Sequence, residues 1–134
     1  MSIKGKYLFA SILLFILFLF SCQLEPYSKG KEAYEFYCAS CHMKDGSGLA
    51  ALIPPIAGAD YYAQNQEKVA CIIINGLQDS IVVNGKKYGG KMDPIALTPI
   101  QITNIMNYMN QSWGNNIPVK SIESVKKDLE KCPQ

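Results

Sequence analysis

Residues 37–48 read YCASCHMKDGSG, and they concentrate more reactive chemistry than any other stretch of the chain. Two thiols, Cys38 and Cys41, stand three positions apart, and His42, the only histidine, follows directly. Cys-x-x-Cys-His is the attachment signature for c-type haem. On a helix that spacing puts both sulfurs on one face, where they can add across the two vinyl groups of a porphyrin. The imidazole that follows can then reach the iron. Three other chemistries compete. A structural zinc site needs four ligands, and only Cys71 and Cys132 remain to complete one, with no second histidine. A thioredoxin-like redox pair opens a helix after a strand, whereas this motif closes a helix. A plain Cys38–Cys41 disulfide would leave His42 without a role. The spacing favours haem.

Several elements must position these groups. Gly30, Ala33, Tyr34, Tyr37, Cys38 and Cys41 recur at spacings of three and four, predicting a helix over 29–42 with the motif at its end. Gly46 and Gly48 open a loop, and Pro54-Pro55 enforces an extended turn. A second helix is expected over 60–75, closed by Asn75-Gly76. Residues 80–88, SIVVNGKKY, predict a β-hairpin turning at Asn84-Gly85. A third helix starts with Thr98 as cap, Pro99 as first residue and Gln101 completing a capping box. Its inward stripe is Ile102, Ile105, Met106, Met109 and Trp113, and Gly114 is its expected stop. A short last helix from about Ser121 carries Ile122, Val125, Leu129 and Cys132 on one side. The intervening stretch from about 76 to 93 is long and irregular, which points to a function or a ligand.

Taken together, these residues resemble a small class I cytochrome c over about 29–115. That family carries glycine and an aromatic eight and four residues before its first haem cysteine, and Gly30 and Tyr34 stand there. Its last core helix crosses the first with an aliphatic residue and an aromatic three later, matched by Ile105 and Tyr108. The segment PPIAG matches the proline whose carbonyl accepts the histidine's other ring proton, with Pro54 aligning best. The resemblance implies a mainly α fold of three core helices around a covalently bound haem, here with a small hairpin and an extra C-terminal helix. It implies thioether links at Cys38 and Cys41, and pocket support from Pro54, Ile56 and Tyr108.

An electron carrier needs a second strong axial ligand, and a thioether favours reduced iron. Met43 adjoins His42 and lies on the wrong side of the ring. Met106 and Met109 fall on the inward stripe, the usual place for gap-filling methionine. Met92, in YGGKMDP, lies in a glycine-rich loop ahead of the third helix, where the family places its distal methionine. Many relatives follow that methionine directly with proline; here Asp93 precedes Pro94. The expected axial pair is His42 and Met92.

The rest of the chain supplies context. Lys4 and Lys6 precede an apolar run over 8–20, then LFSC. This is the plan of a secretory signal, too short for the roughly 20 residues of a spanning helix. LFSC resembles a bacterial lipoprotein box, making Cys22 the acylated first residue, although Phe20 is bulkier than usual there. The expected organisation is a signal peptide over 1–21, a tether over 22–28 and one domain over 29–134. Loss of Lys4 and Lys6 reduces 13 basic residues to 11, equal to the 11 acidic ones. There is no arginine and no basic patch of the kind nucleic acid requires. Export to an oxidising compartment makes Cys71 and Cys132 natural disulfide partners. Lys44, Lys86, Lys87 and Lys91 fall near the expected haem edge, where they could steer an acidic redox partner or simply be solvated. No catalytic acid, base or nucleophile stands out. The expectation is an exported single-haem electron carrier in the periplasm or cell envelope, held to a membrane by lipid. A haem-based ligand sensor and a relay subunit of a respiratory complex are the rivals.

Overall fold

The computed structural model describes residues 25–133. Cys22 and the apolar run over 8–20 lie outside them. Among the described residues, no helix is long and apolar enough to cross a membrane. The order of elements is α1 (Ser28–Tyr37), α2 (Ala39–His42), α3 (Asp60–Gln64), α4 (Val69–Asn75), β1 (Ile81–Val83), β2 (Lys86–Tyr88), α5 (Pro99–Gln111) and α6 (Ile122–Leu129). The fold is mainly helical with one two-stranded antiparallel hairpin, as the sequence predicts.

The helix crossing of α1 and α5 organises the molecule. Gly30 makes it possible: a Cβ there would stand 2.1 Å from the Asn104 carbonyl oxygen and 2.7 Å from Tyr108 Cβ. Tyr34 fills the crossing beside Tyr108 and Trp113, with ring centroids 5.5 and 5.0 Å away. Such tilted aromatic contacts add to the burial of the rings themselves. Ile102, Ile105, Met106 and Met109 of α5 are all buried, each stabilising the fold by roughly 1.5–3 kcal/mol. The predicted capping box is formed: Gln101 N–H donates to Thr98 Oγ1, and Thr98 N–H donates to Gln101 Oε1.

The hairpin also forms as predicted, with Ile81 opposite Tyr88 and Val83 opposite Lys86. Asn84 and Gly85 have φ of 49° and 75°, the left-handed pair a type I′ turn requires. Asn84 further ties the turn to α3, since Asp60 N–H donates to its Oδ1 (3.0 Å) and its own N–H donates to Asp60 Oδ1 (2.7 Å).

Three helix boundaries depart from expectation. The helix predicted over 60–75 is two, α3 and α4, because Asn65 and Gln66 turn their side-chain amides back onto the Tyr61 and Tyr62 carbonyls (2.8 and 2.9 Å). Those bonds satisfy the end of α3 and stop it. The first helix is interrupted at Cys38 (φ −118°, ψ −34°), so α2 is a separate turn. Helix α5 ends at Gln111 rather than at Gly114; Trp113, at φ 55°, leaves the helix and folds back onto Tyr34.

At the C-terminus, Ser121 caps α6, and Val125 is fully buried on its inner side. Cys71 and Cys132 are joined by a disulfide, with Cα atoms 5.3 Å apart. Beside it the buried Asp128 pairs with Lys120.

Candidate functional site

The motif opens onto a cavity of about 350 Å³. Cys38, Cys41 and His42 lie on one side of it, and Met92 also lines it. Pro54, Ile56, Tyr62, Ile73, Val83 and Tyr88 contribute to an otherwise largely apolar wall. Each group is delivered by a different segment: α2 and the Cys38 break before it bring the motif, the Pro54 loop its support, and the segment between hairpin and α5 brings Met92.

Neither Cys38 nor Cys41 takes part in a disulfide; the first is buried and the second exposed. Until a covalent link forms, burial, then the neighbouring Cys41, pushes the Cys38 thiol up to about 11. His42 Nδ1 lies 3.1 Å from the Pro54 carbonyl oxygen. A carbonyl only accepts, so Nδ1 carries the proton and Nε2 keeps its lone pair. Burial lowers the His42 pKa from the ordinary imidazole value, the Pro54 bond opposing it. Burial, the larger effect, leaves the imidazole neutral, and the Pro54 bond orients it, the form a metal needs.

Met92 is held by two backbone bonds with Leu77, Leu77 N–H to Met92 O and Met92 N–H to Leu77 O, both 2.9 Å. Gly76 permits this bridge: at φ 75°, a Cβ there would meet Met92 O at 2.3 Å. Met109 also lines the cavity, from α5, whereas Met43 and Met106 do not. The sequence assigned Met109 to core packing alone; its second role as wall depends on where α5 passes, which spacing does not encode. Tyr108 is not among the lining residues and sits in the helix crossing, so any support it gives the pocket runs through Tyr34 and Trp113.

Two buried tyrosines show polar groups the sequence did not single out. Tyr62 donates to Asn110 Oδ1 (2.6 Å), and Tyr34 donates to Met43 O (2.8 Å); burial raises both phenols far above their ordinary range. Asn115 links the end of α5 to the Pro54 loop, accepting from Gly58 N–H (2.9 Å) and donating to Ile56 O (3.3 Å). Of the four lysines near the expected edge, Lys44 pairs with Glu35 (3.4 Å), Lys86 donates to Ala50 O (3.2 Å), and Lys91 lines the cavity.

An apolar cavity with two cysteines outside any disulfide, a neutral imidazole and a thioether on its walls fits a covalently held haem. The helix crossing and this site define a small class I cytochrome c, and the cytochrome c family profile matches residues 27–113. The chain belongs to that family, and with it carries covalently bound haem c and transfers electrons. It is 35% identical over 91 residues to cytochrome c-552 of Thermus thermophilus, covering 64% of this chain and 70% of that one. It is 28% identical over 103 residues to the cytochrome c subunit of the quinone alcohol dehydrogenase of Gluconobacter oxydans. It is 29% identical over 112 residues to the gluconate 2-dehydrogenase cytochrome c subunit of Pantoea cypripedii. The matches cover 66% and 74% of this chain but only 19% and 24% of those two subunits.

Proposed function

We propose that the protein is a one-electron carrier of the cell envelope whose haem is linked through Cys38 and Cys41 and bound axially by His42 and Met92. The observation that carries this reading is the shared cavity: His42, its ring oriented by Pro54, and Met92 both line it, delivered by separate segments of the chain. The haem supplies the iron that takes up and releases one electron. The chain holds the two ligands, keeps the His42 proton on Nδ1 with the Pro54 carbonyl, and excludes water with its apolar wall. The tether is Cys22, acylated after removal of residues 1–21; the basic start, apolar run and LFSC sequence support it. Donor and acceptor are redox proteins, and the reaction is electron transfer alone.

The test is the visible spectrum of the oxidised protein. The weak far-red sulfur-to-iron band is expected in the unsubstituted chain and in Met109→Leu, and lost in Met92→Ala. Its persistence in Met92→Ala, or rapid carbon monoxide binding to the unsubstituted reduced protein at neutral pH, counts against the axial pair. A second reading, a relay subunit of a larger dehydrogenase, is favoured by the two dehydrogenase cytochrome subunits among the relatives. The size of the native species after mild detergent extraction separates the two.

A further inference from the structure

We propose that Tyr34 is a positioning residue for the iron's imidazole ligand, its hydroxyl holding the strained Met43 peptide that fixes the loop between His42 and Pro54. The inference rests on His42 being that ligand.

Met43 directly follows His42 and closes α2, with φ 62° and ψ 159°. That region is essentially reserved for glycine; any other residue there is strained and stays only when its surroundings hold it. Helix α2 has only four residues, too few to hold its own end. The Met43 carbonyl, whose direction ψ sets, accepts from the Tyr34 hydroxyl at 2.8 Å and from Gly46 N–H at 3.2 Å. Tyr34 is fully buried, and Tyr108 and Trp113 fix its ring, so the hydroxyl is presented without loss of rotamer freedom.

The consequence reaches both supports of the imidazole. Gly48 N–H donates to His42 O (3.1 Å), and the Gly46 carbonyl accepts from Ile56 N–H and Ala57 N–H (2.7 and 3.0 Å). The loop from Met43 to Gly48 therefore ties the His42 backbone to the segment whose Pro54 carbonyl holds the ring proton. Tyr34 anchors that loop from the core. Without the hydroxyl, Met43 ψ is free to relax, and the His42 backbone shifts relative to Pro54 O, which turns the ring.

The experiment compares holoprotein carrying Tyr34→Phe with Asn107→Ala. The first keeps the ring and its packing. The second loses hydrogen bonds to Lys120 outside the cavity, Nδ2 to Lys120 O at 3.0 Å and Lys120 N–H to Oδ1 at 2.8 Å, and so controls for lost stability. In Tyr34→Phe the iron-shifted proton resonances of the His42 ring are expected to move, and amide exchange at Gly46 and Gly48 to quicken about tenfold. Asn107→Ala is expected to leave both as they are. Unmoved ring resonances in Tyr34→Phe, or the same movement in Asn107→Ala, overturn the proposal. If no histidine ring signal is iron-shifted in the unsubstituted protein, the ligation reading itself falls; the exchange rates then still show whether the hydroxyl holds the loop.

Discussion

At the scale of single residues, His42 is the group on which the site converges, and burial keeps its ring neutral against the opposing Pro54 hydrogen bond. Burial lowers its pKa, and the Pro54 carbonyl fixes the proton at Nδ1. The unfolded chain binds a proton at this ring below its ordinary pKa of about 6.5 while the folded chain does not, so stability falls as pH drops through that value. As His42 is the only histidine, no other imidazole contributes to this window. The expected outcome is a urea midpoint that falls as the pH is lowered from 6.5 to 5.5. A flat midpoint across that range would contradict a buried neutral imidazole. The motif residues were legible because their spacing alone brings them together, and Pro54 was legible only through the family resemblance. The Tyr34–Met43 bond was not, since a hydroxyl's partner depends on a tertiary contact and a glycine-like φ on methionine has no sequence signal.

At the scale of elements, sequence is most informative where a local rule acts alone. Thr98-Pro99 with Gln101, and Asn84-Gly85, specify a cap and a turn through bonds within a few residues, and both form as read. Sequence is least informative where a polar side chain chooses between continuing a helix and ending it. Asn65 and Gln66 divide the expected 60–75 helix by capping Tyr61 and Tyr62, a choice periodicity does not reveal. Trp113 fits the inward stripe of α5 in spacing, yet the tertiary contacts with Tyr34 and Tyr108 draw it off the helix. The α1–α5 crossing was legible through the family resemblance, which puts a glycine at the contact, where only a residue without Cβ lets the helices touch. Gly30→Ala is expected to cost about 3 kcal/mol, since the new Cβ meets the Asn104 backbone carbonyl rather than a movable side chain. Gly85→Ala is the comparison: no heavy atom lies within 4 Å of its Cβ, so its cost comes from φ alone and stays nearer 1 kcal/mol. Equal urea midpoints for the two variants would refute close approach as the role of Gly30.

At the scale of the whole molecule, the C-terminal helix is fastened to the helix that contacts the Met92 segment. The Cys71–Cys132 disulfide closes a sequence separation of 61 residues, and Asn75 donates to Pro133 O at 3.1 Å, so α6 and the chain end are fastened along α4. The opposite side of α4 faces the cavity through Ile72 and Ile73. Ile73 O accepts from Ile95 N–H (2.9 Å), and Leu77 bridges Met92 just beyond the helix end. Helix α4 thus stands between the disulfide and the methionine segment and makes contact with both. Replacing both cysteines with serine releases the constraint on the unfolded chain, an expected loss of about 4 kcal/mol on loop entropy. If α4 also carries that loosening to Met92, carbon monoxide should bind the reduced holoprotein faster in the double variant. A lower urea midpoint with unchanged carbon monoxide kinetics would mean that the staple stabilises the fold while the Leu77–Met92 bridge holds the ligand by itself. Acceleration in the double variant, absent from Gly85→Ala, which loosens the hairpin turn instead, would locate the control of the proposed Met92 ligand in α4.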